Sequence, residues 1–140
     1  MDERIKQLAE EGAQLDIIEA LRILTESYMD FCGISMSLRT VVYECAESWL
    51  DKLVETEDHP LSQTAKEDDY LFRFMPRICQ DYDPDIYDEY DIYYLDKQEF
   101  YDCLLRLIDD NRQDIRLKQA LCWGYSKLLE TCWKTGDDVK

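Results

Sequence analysis

Asp81, Asp83 and Asp85 stand at alternate positions, the spacing with which an oxygen-ligated calcium loop begins. Such a loop also needs glycine at its sixth place and glutamate at its twelfth. Counted from Asp81, those places hold Ile86 and Ile92, and Pro84 interrupts the ligand run. Calcium is therefore not expected as a resident ion. Zinc has no better footing: Cys32, Cys45, Cys79, Cys103, Cys122 and Cys132 include no Cys-x-x-Cys pair, and the one histidine is His59. That histidine, in a polar stretch beside Pro60, is also the only imidazole base available to a nucleophile. The four glycines are scattered and make no phosphate-cradling loop. No metal, cofactor or nucleophilic centre is expected.

Magnesium chemistry has a stronger claim. Glu44-x-x-Glu47 and Glu99-x-x-Asp102 have spacings with which helical nucleotide pyrophosphohydrolases hold magnesium. Metal-holding carboxylates must converge in a cleft, however. Helical projection sets Glu44 and Glu47 opposite the apolar stripe of their own segment, facing solvent. The two pairs also lie farther apart in the chain than that arrangement normally allows. The expectation is a protein that is not an enzyme.

What the carboxylates can do instead depends on their distribution. The 140-residue chain has 32 Asp and Glu against 16 Lys and Arg, a formal charge of −16. Such a chain is repelled by nucleic-acid backbones and anionic membranes. At 46% hydrophobic and 12% aromatic it is too apolar for a disordered polyanion. No run approaches the roughly 18 apolar residues of a membrane span, and no secretory signal opens the chain. Without an export signal, the cysteines read as reduced thiols, with Cys45, Cys103 and Cys132 at apolar helix positions, and the expected location is cytoplasmic.

The charge is not spread evenly. Residues 1–55 hold 12 acids and 5 bases, residues 56–96 hold 12 and 3, and residues 97–140 hold 8 of each. Within the first span, Glu19, Glu26 and Asp30 project onto one narrow helical stripe, and Glu44, Glu47 and Asp51 onto another. Like charges at this spacing destabilise a helix by roughly 0.2–0.5 kcal/mol per pair, and no base stands three or four places from Glu44, Glu47 or Asp51. The middle span contains DYDPDIYDEYDIYYLD, residues 81–96, with seven acids, five tyrosines and no base. Carboxylates pair with arginine and lysine, while tyrosine supplies a ring face for the cation and a hydroxyl for hydrogen bonding. Asp81, Asp83, Asp85, Tyr87, Asp88, Glu89, Tyr90 and Asp91 are thus the first candidates for partner binding. Glu19, Glu26, Asp30, Glu44, Glu47 and Asp51 form a second tier.

The elements that position these residues are helices. Helical composition covers residues 2–11, with Gly12 as a break. A second helix is predicted from Asp16 to Cys32, closed by Gly33, on the spacing of Ile17, Leu21, Leu24 and Tyr28. Ser35 or Ser37 caps a third, which runs to about Glu55 through Leu38, Val41, Val42, Cys45, Trp49 and Leu53. Residues 56–66 read as a loop, and 69–79 as a short apolar helix ended or kinked by Pro76. Residues 86–95 suit either a short helix or an extended segment. Asp96 with Glu99 forms a capping box for the next helix. The last is predicted over about 112–134, with Ile115, Leu121, Leu128 and Cys132 on its apolar positions. The expected architecture is an all-α, single-domain bundle of about six helices spanning 1–140.

The partner expected for it is a basic, nucleic-acid-binding protein such as an effector nuclease, whose groove the acidic face would occupy in place of nucleic acid. In composition and surface logic the chain resembles inhibitors of restriction or CRISPR effectors from phages and mobile elements. Two alternatives share its properties. One is an immunity or antitoxin protein covering a basic toxin. The other is a helical regulatory or scaffold subunit packing through Trp123 and Trp133.

Overall fold

The computed structural model describes residues 2–31, 34–55 and 95–131. Across them the chain is all-α, with five helices and no strand among the described residues: α1 (Glu3–Gly12), α2 (Ile17–Asp30), α3 (Met36–Glu55), α4 (Lys97–Asp109) and α5 (Ile115–Thr131). The expected loop at 56–66, the short helix at 69–79 and the segment 86–94 lie outside the described residues.

Polar side chains start these helices where short oxygen-bearing residues precede apolar spacing. Asp2 accepts a hydrogen bond from the Arg4 amide at 2.7 Å, and Asp16 accepts one from the Glu19 amide at 3.1 Å. Of the two serines that could cap α3, Ser35 does so, its hydroxyl accepting from the Leu38 amide at 3.2 Å. The capping box of α4 is complete: Asp96 accepts from the Glu99 amide at 2.8 Å, and Glu99 accepts in return from the Asp96 amide. Asp96→Ala should therefore lower stability by about 1 kcal/mol. Urea unfolding measures it, and an unchanged midpoint would mean that water replaces the cap without penalty.

Two boundaries differ from expectation. Helix α5 begins at Ile115, three residues later than the composition suggests. Asp110 captures the Arg112 amide at 3.0 Å and holds a turn there, and Asp114 then caps the helix by accepting from the Arg116 amide at 2.8 Å. Ile115, expected on the apolar face, is 55% exposed because it precedes the part of α5 that enters the core. Helix α2 stops at Asp30, with Phe31 as its C-cap, while Cys32 and Gly33 lie outside the described residues.

Helix α5 is the centre of the packing and touches α1, α2, α3 and α4. Every residue from Ala120 to Tyr125 is buried, along with Leu117 and Leu128. A helix covered on most sides needs no single stripe, which is why its sequence pattern is weak. Helix α3 packs along it through Cys45 and Trp49. The Trp49 indole donates to the Ala120 carbonyl at 2.9 Å, and the Cys45 thiol donates to the Leu121 carbonyl at 3.3 Å.

These contacts need a close approach, and two glycines supply it. A Cβ on Gly124 would lie 2.7 Å from Cys45 Cβ and 2.8 Å from Cys45 Cα. One on Gly12 would run into the Gln119 carbonyl. The sequence marked Gly12 only as a break, whereas in the fold it is the point where α1 lies against α5. Cys45, Cys103 and Cys122 are buried free thiols, and burial pushes Cys122 up to about 12. No described helix is long and apolar enough to cross a membrane.

Candidate basic-partner interface

The row on α3 lies on the ridge that the core leaves uncovered. Val41, Val42, Cys45, Ala46, Trp49, Leu50 and Leu53 take the buried positions, and Glu44, Glu47 and Asp51 fall outside them. A fourth acid, Glu55, continues the row at the next four-residue step. The same spacing rule identifies it in the sequence, but it was not among the expected binding residues. From Glu44 to Glu55 the ridge rises about 16 Å along the helix.

The ridge is less solvated than projection suggested. Glu44 is half-buried, and desolvation raises its carboxyl above the usual range. Asp51 is raised by desolvation and then by Glu55. Glu47 keeps exposed surface, and its carboxyl is nonetheless pushed up to about 7, by desolvation first and then by Glu44 and Asp51. The expectation of a freely solvated row is thus corrected, because each acid stands beside the next and partly against the chain.

A carboxyl raised in the fold destabilises it when charged. The folded chain holds the Glu47 proton more tightly than the unfolded chain does. Stability should therefore fall as pH rises from about 4.5 to about 7, with the full penalty present above that window. Glu47→Gln should raise stability at pH 8 by roughly 0.5–1 kcal/mol, a figure discounted for the exposed part of the side chain. At pH 4.5 the variant and parent should unfold together, as urea titrations at the two pH values would reveal. Equal stability at pH 8 would mean that the fold does not penalise the Glu47 charge.

The row on α2 has a different environment. Glu26 and Asp30 are exposed. Glu19 is half-buried and forms an ion pair with Arg116 of α5, whose guanidinium also binds Asp114 at 2.9 Å. Arg116 compensates Glu19 from another helix, a pairing that spacing within α2 could not show. Two of the three acids on this stripe are left as outward-facing charge. The acid–arginine interleaving near residue 112 is surface ion pairing, with Arg112 on Asp110 at 2.9 Å beside Arg116 on Asp114.

At the end of the α3 ridge, Ser48, Asp51, Lys52, Glu55, Trp123, Lys127 and Thr131 line a cleft of about 360 Å³ between α3 and α5. The Lys52 ammonium sits 5.0 Å from the Trp49 ring centre and 4.9 Å from that of Trp123. Desolvation, followed by the nearby Lys127, pulls its pKa below the usual lysine value. Lys52 follows Asp51 directly in sequence, yet the fold carries its charge over the indoles. Trp123 is only 7% exposed and packs against Trp49 with ring centres 4.4 Å apart and planes tilted by 43°, so it belongs to the core. Trp133 lies outside the described residues.

Asp81, Asp83, Asp85, Tyr87, Asp88, Glu89, Tyr90 and Asp91 also lie outside the described residues. Among the described residues, no group of three or more His, Cys, Asp or Glu side chains is placed to hold a metal ion. No family model, curated protein or solved structure matches the chain.

Proposed function

We propose that the chain is a non-enzymatic acidic binding protein that occupies the basic groove of a nucleic-acid-binding protein and excludes nucleic acid from it. In kind, this is an inhibitor of the anti-CRISPR or anti-restriction type. The observation that carries the reading is the ridge Glu44, Glu47, Asp51 and Glu55, kept on a well-packed helix although desolvation, followed by repulsion from neighbouring acids, raises the Glu47 and Asp51 carboxyls. Lysine or arginine brought beside such a row would offset the like charges of neighbouring acids. Glu26 and Asp30 add exposed charge on α2. The acid–tyrosine segment 81–91 adds the densest charge in the chain together with rings suited to guanidinium groups.

The test is competition under salt. Against a nuclease or other DNA-binding protein recovered from the native host, affinity should drop by about tenfold or more between 50 and 200 mM salt. The partner's own nucleic acid should displace the chain. Binding that ignores salt, or that coexists with bound nucleic acid, would rule the reading out.

A further inference from the structure

We draw no further inference here: the strongest candidate, the cleft between the C-terminal halves of α3 and α5 where the Lys52 and Lys127 ammonium groups converge on the Trp123 ring, already has Lys127 paired with Glu130 and Lys52 directed at the Ala13 carbonyl, and nothing in the structure shows what covers it.

Discussion

Gly124→Ala is expected to destabilise the fold by roughly 1–3 kcal/mol, against a total of about 5–15 kcal/mol for a typical domain. Helix propensity alone argues the reverse, since alanine is about 1 kcal/mol better than glycine inside a helix. The sign is decided by what the new methyl group meets. Its neighbours at 2.7 to 2.9 Å are the Cβ, Cα and carbonyl oxygen of Cys45, none of which can swing aside by changing rotamer. Relief requires α3 and α5 to separate, and that would loosen the Trp49 bond to Ala120 and the Trp49–Trp123 ring contact together. Urea unfolding followed by tryptophan fluorescence reads both the midpoint and the disturbed indoles. A variant as stable as the parent would mean that the helices are not in this close register.

Reversing Asp81, Asp83, Asp85, Asp88, Glu89 and Asp91 to lysine should weaken binding of the basic partner by about 100-fold or more while leaving the helical circular-dichroism signal in place. Six reversals move the net charge from −16 to −4, so long-range attraction and local pairing are lost together. A second variant separates these contributions. Glu44, Glu47, Asp51 and Glu55 changed to glutamine shift the charge by only four and should weaken binding less, while raising stability by removing partly desolvated, mutually repelling charges. Glu26→Lys with Asp30→Lys gives a third arm on a different helix. If the 81–91 variant binds like the parent, the acid–tyrosine segment is not the principal contact. If the α3 variant alone abolishes binding, the ridge carries the interface and the ranking of the two tiers is reversed.

Much of the fold was legible where a local rule is sufficient. Asp16, Ser35 and the Asp96–Glu99 box start their helices because capping involves only residues within one turn. The α3 stripe was equally clear, since that helix has one core side and one outer ridge. Helix α5 was harder to read because neighbours on several sides bury Ala120 to Tyr125 in an unbroken run. The acidic ridge was legible as a row of positions, and the same four-residue step extends it to Glu55. Its desolvation was not legible, because that depends on how much of the folded chain stands against each carboxyl.

The charge of −16, its concentration before residue 97 and the helical phase of each acid follow from the order of residues alone, since charge and the 3.6-residue repeat are local properties. Tertiary structure decided the rest. Arg116 reaches Glu19 from a helix almost a hundred positions away in the chain, Lys52 is drawn over Trp123, and Gly124 becomes a contact point through its distance to Cys45. Each outcome depends on which surfaces meet in space, and Coulomb, cation–π and steric energies are set by that distance rather than by separation in sequence.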